Sequence, residues 1–449
     1  MMFGRHLKNF LGAKMEDWTV RDLEEWDEKI QDLANSYNLD WFPIVYEICD
    51  YYDMIGHMSY HGMPSHYPHW SFGKSFERTH QMYNAGQQGL PYELIINSNP
   101  SIAYLMRENP LYLQILIMAH CVGHSDFFKN NATFKDTSPE TVNIRFKGAK
   151  RRIMEYIEDP SIGIEKVERI VDAVHAIQFQ TYRWPINRKK HSELKKEYEN
   201  LVKNDKNGEY KDFNLNKFPL EPDYDLLGFI SEYSKNLSSW ERDIINIVRE
   251  ESHYFIPQIK TKVINEGWAS FWHYKLMNEL KLPQKYHIPF LKSHNQVIRP
   301  HIGAINPYHL GFHIFQKIEE KYGLERCFFA REICHDQSFV REYLELEDGI
   351  DLNLFTYSKK KNYYSIDDVS NEEDWKEVKN TLINNIGMSS IPRIFVEEVE
   401  NNTLILSHEH EGRDLEIQYA NRVVEHIKTL WGNNVKLFTI VEDEAWIID

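Results

Sequence analysis

A run of apolar residues constrains the fold of this 449-residue chain more than any other feature. Residues 111–119 carry no charge, and the run continues through 120–128 as His-Cys-Val-Gly-His-Ser-Asp-Phe-Phe. Asn109-Pro110 stands before it, an arrangement that favours the start of a helix. A helix that is apolar on every side has to be buried on every side. The sequence therefore predicts one deeply enclosed helix within a large core.

Two histidines four residues apart lie on this predicted helix. Because residues i and i+4 share one helix face, the imidazoles of His120 and His124 are expected one turn apart. Zincin metalloproteases present two imidazoles to one metal with this spacing, but the glutamate of their motif is replaced here by Cys121. Two interpretations stay open: a metal or catalytic pair, or a buried pair that is satisfied by hydrogen bonds.

A second segment, Val263-Ile-Asn-Glu-Gly-Trp-Ala-Ser-Phe-Trp-His273, resembles the one from which some zincins supply a glutamate as third ligand. Glu266 would be that ligand, which predicts a site for Zn²⁺ or another divalent metal at His120, His124 and Glu266. Burying a carboxylate among tryptophans is costly, so a cation or a donor is expected beside it. The alternative is that Glu266 pairs with an arginine or accepts backbone N–H bonds.

The predicted catalytic residues are Glu266, His273 and Asp126. His273 follows Glu266 by seven residues, which places it on the same helix face but about 10 Å further along the axis. That distance is awkward for joint ligation of one ion, so we assign His273 to substrate contact or to a position behind the ligands. With Cys121 in place of the usual base, Asp126, Glu250 and Glu251 are the candidates for that role.

Residues 60–77 combine three histidines, two prolines and five aromatic residues without a helical period. We therefore predict an irregular loop. Its residues His66, His69, Trp70 and Lys74 are candidates for substrate binding, as the wall or lid of a site. The alternative is an aromatic loop packed on the domain, with histidines that donate to backbone carbonyls.

Two further histidine patterns are weaker. His309 and His313 repeat the four-residue spacing, but on a helix with ordinary amphipathic neighbours, so we interpret them as surface residues. Glu250 and His253 have the i,i+3 spacing of di-iron bundles, and without a second copy a solvated helix end is the simpler interpretation.

Composition excludes several classes of function. The chain has 52 Lys+Arg against 68 Asp+Glu, a net charge of −16, which opposes binding to nucleic acid. Its four cysteines form no CxxC pair, which indicates a reducing compartment. No segment is long and apolar enough to predict a signal peptide or a transmembrane helix, so we expect a cytoplasmic protein.

Helix caps and apolar spacing predict a mainly α-helical chain up to about residue 355. Thr19 and Asp22 form a capping box for a first helix. A second helix is predicted over 42–58, and Pro257 is predicted to open a long helix that ends near Leu280. The Lys-rich residues 183–217 are expected to be an exposed insertion or a mobile connection.

The pattern changes near residue 360, where a charged stretch follows. We predict a helical domain over 1–357, a linker over 358–372 and a small α+β domain over 373–449. Strands are expected in that last domain at 393–399, 403–407, 435–441 and 444–448.

Several long motifs together resemble the stage V sporulation protein R (SpoVR) family. They are GMPSHYPHWSFGKSFE (62–77), LPYELIINSNP (90–100), HCVGHSDFFKNN (120–131), NEGWASFWHY (265–274) and INPYHLGF (305–312). The resemblance spans nearly the whole chain, and its motifs include the candidates named above: His66, His69, His120, His124, Asp126, Glu266 and His273.

The resemblance implies a cytoplasmic protein needed for forming the spore cortex, the thick peptidoglycan layer. It also implies neighbours, since relatives are often encoded beside a PrkA-type serine kinase and a protein with a von Willebrand-like domain. Two functions stay open. One is a divalent-metal hydrolase that cleaves an amide bond in a peptide or a peptidoglycan precursor; the other is a non-catalytic scaffold or regulator with a degenerate zincin-like core.

Overall fold

The protein is mainly helical. Its computed structural model describes residues 18–60, 63, 66–84, 93–184, 189–205, 208, 213–301, 305–352, 354, 356–360, 363–367 and 372–449. The α-helices of this described part are α1 Val20–Ser36, α2 Tyr51–Ser59, α3 Trp70–Asn84, α4 Leu111–Asn130, α5 Val142–Glu158, α6 Ile164–His175, α7 His191–Asn204, α8 Leu226–Tyr233, α9 Ser239–Lys260, α10 Lys262–Glu279, α11 Gln284–Val297, α12 Pro307–Tyr322, α13 Leu324–Ile333, α14 Asp336–Tyr343, α15 Leu346–Asp351, α16 Glu372–Asn385 and α17 Ile417–Trp431.

The strands form three small sheets. They are β1 Ile44–Cys49, β2 Glu93–Ile96, β3 Ser101–Met106, β4 Thr356–Lys360, β5 Tyr363–Asp367, β6 Ile394–Glu400, β7 Thr403–His408, β8 Val435–Val441 and β9 Glu444–Ile448. The first sheet has the order β1-β3-β2, with β1 parallel to β3, and β4 pairs with β5. The third has the order β6-β7-β8-β9, in which only the β7–β8 pair is parallel.

Residue contacts group the chain into two compact units. Unit 1 comprises Met1–Lys147 and Pro257–Gly387, and unit 2 comprises Gly148–Ile256 and Met388–Asp449. In unit 2 the four-stranded sheet packs against α17, which gives the small C-terminal α+β domain that we predicted. The domain bounds that we drew at 1–357, 358–372 and 373–449 stay a prediction.

The predicted central helix is α4, in unit 1. Every residue from Leu113 to Phe128 is buried, as the absence of a polar face requires. Helices α1, α10 and α11 pack around it. This burial fixes where the two histidines lie, because neither imidazole has a solvent-facing side of the helix to turn to.

Glycines let α10 approach two neighbouring helices closely. A Cβ added to Gly123 of α4 would lie 2.8 Å from Cα of Ala269, and one added to Gly267 would lie 2.4 Å from Cα of Gly311 on α12. The mid-helix glycine of α4 therefore marks a point where the two backbones come close. Short side chains on the same faces can therefore meet across the α4–α10 interface.

The prediction of a helix over 42–58 is wrong in its first half. Residues 44–49 form β1, in parallel pairing with β3, and the helix α2 starts only at Tyr51. The β-branched and aromatic residues of Ile-Val-Tyr-Glu-Ile-Cys suit a strand, and Asp50 caps the helix that follows through a capping box with Asp53.

The structure places two other element boundaries at different residues from those predicted. The irregular segment after α2 ends at His69, because α3 begins at Trp70; residues 61, 62, 64 and 65 of that predicted loop lie outside the described residues. Pro257 does not open a new helix but lies inside α9, and the break comes at Thr261. The carboxylate of Asp336 accepts the backbone N–H groups of residues 263 and 264, which caps α10 after that break.

The Lys-rich segment contains α7, none of whose residues is buried. Within the part of the chain that the structure describes, no helix has the length and hydropathy to cross a membrane.

Candidate metal centre

Three side chains from two helices converge inside unit 1. His120 and His124 come from α4 and Glu266 from α10, and one potential ligand atom of each lies within 4.8 Å of the others. Oε2 of Glu266 is 3.3 Å from Nε2 of His124 and 3.7 Å from Nε2 of His120. The three residues are far apart in sequence but close in space, because α4 and α10 pack directly on each other.

The geometry and the donor set fit a tetrahedral metal ion. Ligand atoms about 2.0–2.1 Å from such an ion lie about 3.4 Å from one another, close to the distances between Glu266 and the two histidines. All three residues are buried. Among the described residues, Oε2 of Glu266 is a buried acceptor without a completed hydrogen bond. Two imidazoles and one carboxylate are a common zinc-binding set, and they leave a fourth position open.

Asn265 fixes which nitrogen of His124 faces the glutamate. Its Oδ1 lies 2.9 Å from Nδ1 of His124, and because an amide oxygen only accepts, Nδ1 carries the proton. Nε2 is then turned toward Oε2 of Glu266. Two buried acceptors repel each other at 3.3 Å, so a positive charge, either a proton or a cation, is required between them.

Nδ1 of His120, the ring nitrogen that does not face Glu266, is the start of a row of three contacting imidazoles. Nδ1 of His120 lies 2.8 Å from Nδ1 of His273, whose Nε2 lies 2.8 Å from Nδ1 of His294 on α11. Burial, followed by the nearby His120, holds the pKa of His273 well below its usual range and lowers that of His294 to about 4. Both residues are therefore neutral near pH 7.

Lys262 supplies the cation that we expected beside Glu266. One turn before it on α10, its ammonium donates to Oε1 of Glu266, and Oε2 is left turned toward the histidines. Burial acts to raise the pKa of Glu266, but the ammonium and the two imidazoles outweigh it and hold the pKa well below the usual range. The carboxyl group is thus ionised at neutral pH.

Asp126, a predicted catalytic residue, is held by hydrogen bonds and an ion pair. Its carboxylate accepts the backbone N–H of Asp40 and the indole N–H of Trp268, each at 2.8 Å, and faces Nε of Arg331 at 3.3 Å. Burial raises the pKa of Asp126 to about 6 against the opposing effect of Arg331. These contacts tie α4 to α10 and α13, which favours a positioning role.

The four predicted substrate-binding residues lie in and just after the irregular segment. His66 and His69 are buried, with Nδ1 of His66 3.3 Å from the carbonyl oxygen of Tyr67 and Nδ1 of His69 2.7 Å from Oγ of Ser71. Trp70 is 52% exposed.

The ammonium of Lys74 lies 5.9 Å from the ring of Trp70, one turn earlier on α3. Of the residues that we predicted for the site, the metal cluster brings together His120, His124 and Glu266. His273 joins them through His120.

The weaker histidine patterns have local partners. Nε2 of His313 lies 2.9 Å from Oδ1 of Asp348, and Nε2 of His253 lies 2.8 Å from Oγ1 of Thr181. Both histidines are partly buried, and each has a hydrogen-bond partner beside it.

Sequence reasoning missed Asn265, Lys262 and His294. Asn265 directly precedes Glu266 in the motif. A short amide side chain next to a candidate ligand could have indicated a hydrogen-bond partner for the site. Lys262 precedes that glutamate by four residues, the spacing of a helical ion pair. His294 had no signal, because only the packing of α11 on α4 brings it near.

Comparison with known proteins agrees with the motifs. A family model described as "SpoVR like protein" matches residues 17–391, and one described as "SpoVR-like C-terminal domain" matches residues 392–442. The uncharacterized protein YcgB of Escherichia coli (strain K12) is 34% identical over 481 aligned residues, which cover 95% of this chain and 93% of YcgB. No solved structure matches. Since the two family models together take in all three residues of the cluster and most of the chain, this chain belongs to the SpoVR family.

Proposed function

We propose that the chain binds a divalent cation such as Zn²⁺ at His120, His124 and Glu266 and hydrolyses an amide bond. The observation that carries the proposal is the meeting of Oε2 of Glu266 with two imidazole Nε2 atoms at 3.3 and 3.7 Å inside the protein. Both outer nitrogens are engaged by Asn265 and His273, as is usual for histidines that ligate metals.

When bound, such an ion supplies Lewis acidity, which polarises a carbonyl group and acidifies water. The chain supplies the rest. Glu266 brings one negative charge, and Asn265 and His273 orient the two rings. Asp126 serves as a positioning residue in this proposal, because its carboxylate joins α4 to the indole of Trp268.

We propose the segment with His66, His69, Trp70 and Lys74 as the substrate contact. The support is that Trp70 is an accessible aromatic ring with a cation beside it, which suits a polar substrate with an apolar face. A peptide or a peptidoglycan precursor has this character. Together with the family name, this leads us to propose a cytoplasmic role in forming the spore cortex.

A second function, a non-catalytic scaffold or regulator, is favoured by one observation. Cys121 takes the place of the zincin glutamate, and its side chain is buried. A thiol there is a poor general base at neutral pH. In this alternative the chain works in a complex with a PrkA-type kinase and a protein with a von Willebrand-like domain, and the metal cluster is structural or vestigial.

Metal analysis with matched variants tests the proposed site. We expect one equivalent of a divalent metal in the purified protein, lost in the double variant His120→Ala/His124→Ala. His309→Ala/His313→Ala removes two histidines with the same spacing from α12 and is expected to keep the metal. If the wild-type protein stays metal-free after attempted loading with Zn²⁺, the proposal of a metal-dependent hydrolase is wrong.

An activity assay separates the two functions. We expect the zinc-loaded protein to release amine from peptidoglycan-derived peptides, and the His120→Ala/His124→Ala variant to release none. A protein that holds one zinc but cleaves no peptide, and that binds the kinase, would favour the scaffold.

A further inference from the structure

The two candidate ligand histidines differ in what fixes their tautomers. Nδ1 of His124 faces an amide oxygen, which only accepts, so the tautomer of His124 is fixed. Nδ1 of His120 faces Nδ1 of His273, an atom that either donates or accepts. The tautomer of His120 therefore depends on that of His273. Through the 2.8 Å contact between Nε2 of His273 and Nδ1 of His294, it depends on His294 as well.

Resting on the proposed metal site, we propose that His273 and His294 select the metal-binding tautomer of His120, and that loading the ion switches all three imidazoles together. His273 and His294 are positioning residues in this account. They act on the ion only through the nitrogen of His120 that they leave available.

Two arrangements of the protons satisfy both contacts. In the first, Nδ1–H of His120 donates to His273, and Nε2–H of His273 donates to His294, whose proton is on Nε2. His120 then offers a bare Nε2 to the ion. In the second arrangement, Nδ1–H of His294 donates to Nε2 of His273, and Nδ1–H of His273 donates to Nδ1 of His120. The proton of His120 is then on Nε2, where it points toward Glu266 and blocks the ion.

The proton count is the same in both arrangements. Going from the second to the first, the two shared protons hop from His294 to His273 and from His273 to His120. His120 releases its Nε2 proton to water as the ion arrives, and His294 takes a proton from water on its Nε2. No bond between heavy atoms changes, and each imidazole is neutral at both ends of the switch.

Burial makes the three rings change as a unit. His273 is 0% exposed and His294 is 2% exposed. A nitrogen–nitrogen contact that held two protons, or none, would leave buried polar atoms without a hydrogen bond, which is costly. The ring of His294 is also held between Tyr274 and Phe312, with centroids 4.7 and 5.0 Å away. With the rings held in place, the protons are what moves.

Nitrogen-15 NMR of histidine-labelled protein tests the switch directly. We expect the metal-free protein to carry protons on Nε2 of His120, Nδ1 of His273 and Nδ1 of His294. Added Zn²⁺ is expected to move all three to the opposite nitrogen. If Zn²⁺ binds His120 while His273 and His294 keep their protons in place, the proposal is overturned.

Zinc affinity gives a second readout, with a conservative rescue. His273→Leu removes the acceptor, and we expect zinc affinity to fall about 10–100-fold. His273→Asn restores an oxygen facing Nδ1 of His120, as Asn265 does for His124, and is expected to bind within a few-fold of wild type. His313→Leu, at a histidine paired with Asp348, is the control and is expected to bind normally.

The outcomes distinguish this inference from the proposed function. If wild type binds no zinc, the metal site fails. If wild type binds zinc and His273→Leu binds equally well, or His273→Asn is as weak as His273→Leu while folded, the tautomer selection fails and the metal site stands.

Discussion

At the scale of single residues, the site depends on what lies behind each imidazole. His124 is backed by Asn265 and His120 by His273, and in both cases Nδ1 is the engaged atom. The Nε2 atoms are thereby directed at one carboxylate oxygen of Glu266. An apolar interior makes this orientation decisive, because a ring that turned would leave a buried polar atom unsatisfied.

Replacing Asn265 tests the hydrogen bond that orients the ring of His124. Asn265→Leu removes the acceptor for Nδ1–H, and we expect zinc affinity to fall about 10–100-fold, the range typical for partners that orient a ligand. Asn265→Asp keeps an acceptor oxygen and is expected to bind within a few-fold of wild type. Competition with a chromophoric chelator measures both, and equal affinities for the two variants would contradict the account.

At the scale of elements, the site depends on how α4 and α10 meet. The contacts run antiparallel, with Gly123 against Ala269 and Asp126 against Trp268. The absence of a side chain at Gly123 lets the two backbones come close enough for Glu266 to reach both histidines.

Filling the space at Gly123 is predicted to push the helices apart. The new Cβ of Gly123→Ala would lie 2.8 Å from Cα of Ala269, so we expect a loss of about 1–3 kcal/mol in stability and weaker zinc binding. Gly148→Ala on α5, where a Cβ meets nothing within 4 Å, is the control. It is expected to gain up to about 1 kcal/mol from helix propensity. Thermal unfolding measures both, and equal shifts would be inconsistent with a tight helix contact.

The cap of α10 predicts a dependence of stability on pH. Burial raises the pKa of Asp336 to about 7 in the folded protein, although the backbone N–H groups of residues 262–264 and the charge of Lys262 act to lower it. The unfolded chain has a pKa of about 3.9, so the folded state binds the proton more tightly. Asp336 therefore contributes stability that is complete below pH 4 and is lost as the pH rises through about 7.

The matching measurement compares urea unfolding of wild type and Asp336→Asn from pH 4 to pH 8. We expect the advantage of wild type over the variant to shrink with rising pH, because only wild type has the titrating group. A difference that does not change with pH would refute this role of Asp336.

The sequence predicted elements whose signal is local and missed those set by distant contacts. The enclosed helix and the capping box at Thr19 were both predictable from neighbouring residues. The strand over residues 44–49 was not, because its pairing with β3 decides it. The histidine and glutamate cluster followed from two motifs, whereas His294 follows only from tertiary packing.

At the scale of the whole molecule, unit 2 joins chain segments far apart in sequence. Val396 of β6 exchanges backbone hydrogen bonds with Asp223, and the backbone N–H of Val399 donates to the carbonyl oxygen of Phe218. The guanidinium of Arg183 donates to the carbonyl oxygen of Met388. The C-terminal sheet thus takes support from residues 148–256.

This support predicts that the fragment 373–449 is less stable alone than in the full chain. We expect the amides of Leu406 and Leu437 to exchange hydrogen faster in the isolated fragment, because Phe218 and Asp223 no longer cover β6. Hydrogen exchange read out by NMR measures this. Equal protection in both would favour the independent domain that we predicted from composition.

The central claim is that His120, His124 and Glu266 hold one metal ion, and X-ray absorption at the zinc edge of the zinc-loaded protein tests it most directly. We expect imidazole scattering from two histidines and only nitrogen or oxygen ligands at about 2.0–2.1 Å. His124→Ala is expected to lose one imidazole contribution. A sulfur ligand at about 2.3 Å, or a spectrum unchanged in that variant, would contradict the account.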